Sequence, residues 1–132
     1  MNHEKVDAKS YDCAAGCPVE ATLDLIDGKW KAVILYHLLD DTIRFNELGR
    51  RLSRRISQRM LTRQLRELET AGLIHREVYA EVPPRVEYSM TKRGRSLEPV
   101  IRSLWSWGNT YLEERRSPAI GASATVLVQP VR

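Results

Sequence analysis

Residues 57–71, SQRMLTRQLRELETA, have the spacing of an amphipathic α-helix. From Leu61 onward, three leucines follow one another at steps of four and three residues, so they line one narrow face of a helix. Ser57 is a preferred N-cap residue, and Gly72, directly after the stretch, is typical of helix C-termini. The stretch therefore predicts a helix whose leucine face packs into a core.

The face opposite the leucines is polar and basic. At about 100° per residue, counted from Leu61, four side chains fall between roughly 100° and 200°. These are Arg59, Thr62, Arg63 and Arg66. Gln58 falls at about 60°, at the N-terminal end of the helix. One side of the helix is thus expected to be held in the domain while the other offers hydrogen-bond donors to a partner.

Basic residues are concentrated around this helix. The chain of 132 residues has 21 Lys and Arg against 17 Asp and Glu, and its formal net charge is +4. Between Arg44 and Arg66 it has eight arginines and a single acid, Glu47, so the rest of the chain is net acidic. A basic block of this kind is typical of proteins that bind a polyanion. A solvated helix face is less favoured because acids to pair with it are scarce, although Glu67 or Glu69 lies within reach of Arg66.

Two more helices are predicted upstream. The first begins at Pro18, a residue tolerated in a first helical turn, and runs to Leu38 with a bend or a close helix contact at Gly28. Its apolar positions, spaced three and four residues apart, are Leu23, Ile26, Trp30, Ile34 and Leu38. A short second helix opens at Arg44 and is followed by a turn over residues 53–56. With the helix that follows this turn, it forms a helix-turn-helix.

A hairpin and a last helix are predicted downstream. Residues 73–79 and 85–90 have strand patterns, and Val82-Pro83-Pro84 between them cannot continue a central strand. Thr91 is suited to cap the next helical region, which is expected to break near Ser96 because a proline follows three residues later. The predicted order is helix, helix, turn, helix, hairpin, helix. The fold class is therefore mainly α with a small β-hairpin (α+β), in a winged helix-turn-helix arrangement.

In this arrangement the helix over residues 57–71 is expected to read double-stranded DNA. Arginine bonds a guanine edge bidentately and glutamine does the same for adenine. A rigid proline tip followed by an arginine suits insertion into an adjacent minor groove. Arg50 and Arg51, beside the turn, are expected at the DNA backbone. The predicted DNA-binding residues are Arg44, Arg54, Arg55, Ser57, Gln58, Arg59, Thr62, Arg63, Arg66, Pro84 and Arg85.

Two other function classes are alternatives to DNA binding. An oligomeric module with the same fold would bind RNA or an acidic protein through its basic face and would lack a palindromic DNA target. An enzyme is disfavoured because the sequence has no glycine-rich phosphate loop, no evident pair of carboxylates and no nucleophile in register with a histidine. Selection of symmetric DNA duplexes separates the first of these from a DNA-binding protein.

Several strings of the sequence resemble the HxlR-type regulators, winged-helix relatives of the MarR group. They include GKWK in the first helix, RFNEL, ISQRML, and VPPRVEYS in the hairpin, and the resemblance extends from Cys17 to Trp107. It implies a homodimeric transcriptional regulator, with repression favoured over activation. It also implies operators with two-fold symmetry.

The last predicted helix has an unusually broad apolar surface. Together with the first helix, it would leave a sizeable apolar patch on a monomer, and such patches usually mark interfaces. We therefore expect dimerisation through the first and last helices. The expected interface residues are Leu104, Trp105, Trp107, Tyr111 and Leu112.

Cys17 stands where this family carries a cysteine, directly before Pro-Val-Glu, and several members resembling this chain sense oxidants, quinones or other electrophiles through that thiol. A helix N-terminus favours the reactive thiolate, whereas Glu20 opposes it. Cys13 is a candidate resolving thiol, within a subunit or between subunits. The other interpretation is a buried, inert Cys17. The same DNA-binding regulator would then respond to a small-molecule ligand at the dimer interface.

The remaining features bound the class of protein. The two cysteines and His3 have no convincing ligand spacing, so neither a metal nor another cofactor is expected, and His37 and His75 are interpreted as structural. A signal-peptide pattern is missing and the apolar runs are too short to span a bilayer, so we expect a cytoplasmic protein with no membrane partner. The expected organisation is a flexible arm over residues 1–16, a domain over 17–116 and a flexible tail over 117–132.

Overall fold

The computed structural model of the protein describes residues 16–116, so nearly all of the predicted arm and the whole predicted tail lie outside the described residues. The described residues belong to two compact units, one ending at Arg95 and one starting at Ser96. The elements in chain order are α1 (Pro18–Ile26), α2 (Trp30–Leu38), β1 (Ile43–Arg44), α3 (Phe45–Arg51), α4 (Gln58–Thr70), β2 (Ile74–Tyr79), β3 (Arg85–Met90), α5 (Lys92–Arg95) and α6 (Glu98–Arg116).

The first predicted helix is in fact two helices. Helix α1 ends at Asp27, which has an extended backbone, and Gly28 follows with a φ of +77°. A left-handed residue cannot continue an α-helix, and glycine adopts this conformation without steric cost. Because the helical period is interrupted there, the apolar stripe expected across both helices was wrong at Leu23, which is 54% exposed.

The core of the first unit is built around α4. Its three leucines, Leu61, Leu65 and Leu68, are at most 2% exposed, as the spacing predicted. The backbone N–H of Met60 donates to Ser57 Oγ at 3.0 Å, which confirms the predicted N-cap. Helices α2 and α3 contact each other, and α2 also contacts α4. The polar face of α4 is thereby turned away from the core.

The predicted hairpin is present, and a third strand joins it. Strands β2 and β3 pair antiparallel from Ile74↔Met90 to Tyr79↔Arg85. The two-residue strand β1 pairs with the other side of β3, so the sheet order is β1-β3-β2. Arg44 therefore lies in β1 and at the N-cap of α3, which corrects the prediction that it opens the second helix. A strand of two residues is too short to show a readable alternation.

Thr91 connects the end of α4 to the base of the hairpin. Its hydroxyl donates to the carbonyl of Gly72 at 2.6 Å and accepts from the backbone N–H of Gly94 at 3.0 Å. The predicted capping role of Thr91 is confirmed, and the predicted break near Ser96 separates α5 from α6. Among the helices of residues 16–116, none is long and apolar enough to cross a membrane.

Candidate nucleic-acid interface

The outer face of α4 is basic and open to solvent. Gln58, Arg59, Arg63 and Arg66 are exposed, and Thr62 is half-buried. Within the described residues, neither Arg59 nor Arg66 forms an ion pair. The helix thus presents guanidinium groups on the side opposite its buried leucines, in the geometry that a groove-reading helix requires.

The two glutamates of α4 have other partners than Arg66. Glu67 accepts a hydrogen bond from Arg63 Nε at 3.3 Å and forms an ion pair with Lys31 Nζ at 2.8 Å. Glu69 pairs with a strand residue, Arg76, at 3.4 Å. The ion pair that Arg66 could have formed with Glu67 or Glu69 is therefore absent among the described residues. Arg63 keeps 68% of its side chain exposed despite its acid partner.

The turn before α4 places two arginines differently. Ser53 and Arg54 both have left-handed backbones, with φ of 57° and 53°. Arg54 borders a surface hollow of about 260 Å³ that also contacts Gln58 at the start of α4. The guanidinium of Arg55 lies 5.2 Å from the ring centroid of Trp30, a cation–π contact that fixes it at the start of α2.

Two arginines of α3 are held by one acid. Arg51 Nε donates to Glu47 at 3.2 Å, and Arg50 donates to the other carboxylate oxygen of Glu47. These hydrogen bonds, that of Arg50 foremost, lower the pKa of Glu47, so the acid stays ionised and offsets part of their charge. Arg51 also pairs with Asp41 at 3.4 Å. We therefore rank this pair below the arginines of α4 as carriers of positive charge.

The hairpin tip is exposed, but its arginine is folded back. Val82 is fully exposed, and Pro84, two residues later, is also exposed. Arg85 donates to Glu87 at 2.8 Å and to Glu81 at 2.9 Å, and its guanidinium lies 3.9 Å from the centroid of the Tyr79 ring. Insertion of Arg85 into a minor groove would have to break these contacts. These contacts therefore oppose the predicted insertion of Arg85 into a minor groove.

Arg44 and Ser57 complete the predicted set. The side chain of Arg44 is 64% exposed and lies 3.9 Å from Glu87. Ser57 is exposed while its hydroxyl caps α4. Residues of β1, of the turn and of α4 thus belong to one unit of the structure.

Cys17 is the N-cap residue of α1 and is only 8% exposed. Its carbonyl accepts the first helical hydrogen bond, from Ala21 at 2.9 Å. Cys13 lies outside the described residues. From Gly16 to Arg116, no three His, Cys, Asp or Glu side chains are grouped so that they could hold a metal ion.

Within residues 16–116, exposed large apolar side chains are grouped on α1 and on α6, one helix in each unit. On α1, Val19 is 65% exposed, and Leu23 lies on the same helix. On α6, the stacked rings of Trp107 and Tyr111 have centroids 5.5 Å apart. All five predicted interface residues of α6 are between 44% and 71% exposed: Leu104, Trp105, Trp107, Tyr111 and Leu112.

The sequence did not predict a role for one charged residue close to the candidate interface. Lys31 is in α2, its side chain is only 12% exposed, and it contacts Glu67 of α4. The string GKWK contains it, but nothing in the spacing shows that a lysine of one helix meets a glutamate 36 positions later. Only the packing of α2 against α4 brings them together.

Comparison with known proteins supports this description of the fold. The model of the HxlR-like helix-turn-helix family matches residues 25–116. An uncharacterized HTH-type transcriptional regulator of Bacillus subtilis, YdeP, is 62% identical over 102 residues, which cover 77% of this chain and 79% of that protein.

Two solved structures extend the comparison. The redox regulator HypR in its oxidized form is 56% identical, with a TM-score of 0.67, over 71% of this chain and 96% of that chain. The reduced form of the transcriptional regulator YodB from B. subtilis is 31% identical, with a TM-score of 0.61, over 71% of this chain and 91% of that chain.

Proposed function

The chain belongs to the HxlR-like helix-turn-helix family of transcriptional regulators, and from this we propose that it binds a two-fold symmetric operator as a homodimeric repressor. The observation that carries the proposal is the exposed basic face of α4 opposite its buried leucines. In a dimer, two such faces read two half-sites about one helical turn of DNA apart.

The proposed contacts divide into base reading and positioning. Arg59, Arg63 and Gln58 are proposed to reach base edges, because they lie on the outer face of α4 toward its N-terminal half. Arg66 and Thr62 lie on the same face and are proposed to add contacts. Contacts to the DNA backbone are proposed for the remaining residues of the set other than Arg85, which its contacts in the hairpin hold back. These residues are Arg44, Arg54, Arg55, Ser57 and Pro84.

Selection of duplexes from a random DNA library tests this proposal. We expect enrichment of symmetric sequences by the full chain, and loss of about tenfold or more in affinity for the selected duplex in Arg63→Ala. Arg116→Ala, an exposed arginine at the end of α6, is the matched control and should keep most of the affinity. Failure to enrich any symmetric duplex would favour a module that binds RNA or an acidic protein.

We further propose that the regulator responds to oxidants, quinones or other electrophiles through Cys17. Its place at the N-terminus of α1 supports the proposal, because helix N-termini favour the thiolate. So does the similarity to a protein described as a redox regulator. Cys13 would serve as the resolving thiol. The atoms balance if an oxidant converts two thiols to a disulfide and accepts two electrons and two protons.

The burial of Cys17 favours a second candidate, in which the same regulator responds to a small-molecule ligand at the dimer interface. A thiol only 8% exposed reacts slowly with reagents in solution unless the first turn of α1 opens. Release of operator DNA by diamide separates the two. Under thiol sensing, Cys17→Ser should bind DNA normally and resist release, while Cys13→Ser tests whether a second thiol is needed. Equal release of wild type and Cys17→Ser would reject sensing by Cys17.

A further inference from the structure

Lys31 lies at the contact between α2 and α4 and meets two acids there. Its Nζ is 2.8 Å from Glu67 Oε1 and 3.2 Å from Asp27 Oδ1. Its side chain is 12% exposed, whereas those of Glu67 and Asp27 are 42% and 63% exposed. The lysine is therefore the inner member of the group and reaches α4 from behind its basic face.

Glu67 uses its two carboxylate oxygens for two different cations. Oε1 faces Lys31, and Oε2 accepts from Arg63 Nε at 3.3 Å. The hydrogen bond from Lys31, followed by that from Arg63, lowers the pKa of Glu67, and Glu67 in turn is the main cause of a raised pKa of Lys31. Glu67 and Lys31 are therefore both charged near neutral pH.

This arrangement leaves the outer end of Arg63 available. The contact to Glu67 uses Nε, and no described residue bonds the two terminal nitrogens. Those two nitrogens form the fork that bonds guanine bidentately. A guanidinium held at Nε loses less conformational freedom when the fork binds than a freely rotating one.

An acid next to a DNA-reading arginine is unfavourable unless its charge is compensated. Without a second cation, Glu67 would neutralise Arg63 and repel nearby phosphates. Lys31 supplies that cation from the protein side, where it does not compete for the DNA. It also pairs with Asp27, but its Nζ lies nearer to Glu67. On the basis of the proposed function, we propose that Lys31 is a positioning residue for base reading by Arg63 and that it acts through Glu67.

The test compares base preference as well as affinity. The full-length wild type and the variants Lys31→Met, Glu67→Gln and Arg63→Ala bind a library of the selected operator in which every base pair is varied. We expect Arg63→Ala to lose preference at one position of each half-site by about tenfold. Lys31→Met and Glu67→Gln should relax the base preference at that same position. Lys31→Arg, which keeps the positive charge, should keep the wild-type preference.

Lys29→Met is the matched control. It removes the same charge two residues away, from a lysine whose Nζ lies over the Trp30 ring at 4.8 Å and which pairs with no acid in the described chain. We expect it to lower affinity evenly across the library, because it removes charge without touching Glu67. Thermal unfolding of each variant identifies loss of the fold, and Glu67→Gln keeps the test decisive if Lys31→Met fails to fold.

The outcomes distinguish this inference from the function on which it rests. If Arg63→Ala loses the preference while the folded Lys31→Met and Glu67→Gln variants keep it, the positioning role is rejected and base reading by Arg63 stands. If the losses of base preference in Lys31→Met and Arg63→Ala simply multiply in the double variant, the two residues act independently. Coupling through Glu67 is then likewise rejected. If Arg63→Ala leaves every base preference unchanged, base reading by Arg63 is rejected and the positioning role with it.

Discussion

Gly94 lies in α5 beside the carbonyl group of Leu73. A Cβ atom at Gly94 would lie 2.1 Å from the oxygen of that carbonyl and 3.1 Å from the sulfur of Met90. The Leu73 oxygen also accepts the backbone N–H of Thr91 at 3.1 Å, so it is held in place. Even the smallest side chain therefore has to displace backbone between α4 and the hairpin.

We predict that Gly94→Ala lowers the free energy of unfolding by about 3 kcal/mol, because it overpacks a site whose neighbour is main chain. Denaturation in guanidinium chloride measures this loss. Gly49→Ala is the matched control, since a Cβ there meets only Leu61 Cδ2, at an ordinary 3.9 Å. It should be neutral or slightly stabilising because alanine is the better helix former. Equal stability of Gly94→Ala and wild type would contradict the contact.

His37 gives the first unit a pH dependence. Burial, and to a lesser degree the charge of Arg51, lowers the pKa of His37 below its ordinary 6.5. The unfolded chain therefore takes up a proton at a pH where the folded chain does not, so stability falls as the pH drops below 6.5. Glu47 and Glu67 have lowered pKa values and keep their charge in this range.

We predict a decrease in the free energy of unfolding between about pH 7 and about pH 5, and a smaller decrease in His37→Gln, which cannot take up the proton. Urea denaturation of both proteins across this range is the measurement. An identical slope in the two proteins would show that His37 does not cause the pH dependence.

At the level of elements, the sequence predicted α4 and the hairpin because their signals are local. The leucine stripe, the Ser57 cap and the terminal Gly72 all lie within 16 residues. The sequence did not predict β1, because two residues carry no pattern, or the complete break at Gly28, because glycine is also compatible with a bent helix. The pair of Arg63 with Glu67 joins residues four apart on one helix, so it could have been predicted from spacing. The partners of Arg85 depend on how the hairpin turns, so they could not be predicted in this way.

Arg85 is the residue that we expect to stabilise the hairpin. We predict that Arg85→Ala lowers the free energy of unfolding by more than Arg76→Ala does, since it removes a cation–π contact and two ion pairs. Amide hydrogen exchange at residues 80–84 should become faster. Arg76→Ala is the control on the neighbouring strand. It has one ion pair, to Glu69, and should cost less than about 0.5 kcal/mol.

The same variant also tests the alternative role of Arg85. Suppose that the amide hydrogens of residues 80–84 exchange as fast in Arg85→Ala as in wild type, while the affinity for the operator drops sharply. Arg85 would then leave its acid partners in the complex and contact DNA. An ordered tip with unchanged affinity would contradict both roles.

For the whole molecule, we propose that the apolar face of α6 determines how many copies act together. Its five large apolar side chains cover an arc of roughly 160° on the helix, at about 100° per residue. Trp107 is the most exposed of them at 71%. An exposed apolar surface of this breadth is typical of a protein interface. We therefore propose that α6 carries the dimer contact of the proposed function, and the exposed face of α1 is a further candidate for such a contact.

We predict that Trp107→Glu converts the dimer to a monomer, because a carboxylate on this surface would be buried without a cation. Sedimentation equilibrium measures the change. Val78→Glu, an equally radical change at a 50% exposed residue of β2, should leave the dimer intact. The monomer should bind a single half-site weakly and lose the affinity gained by linking two half-sites, about a hundredfold or more. A Trp107→Glu protein that remains dimeric would show that the dimer interface is not on α6. Another contact between two copies would then have to bring their α4 faces together on a symmetric operator.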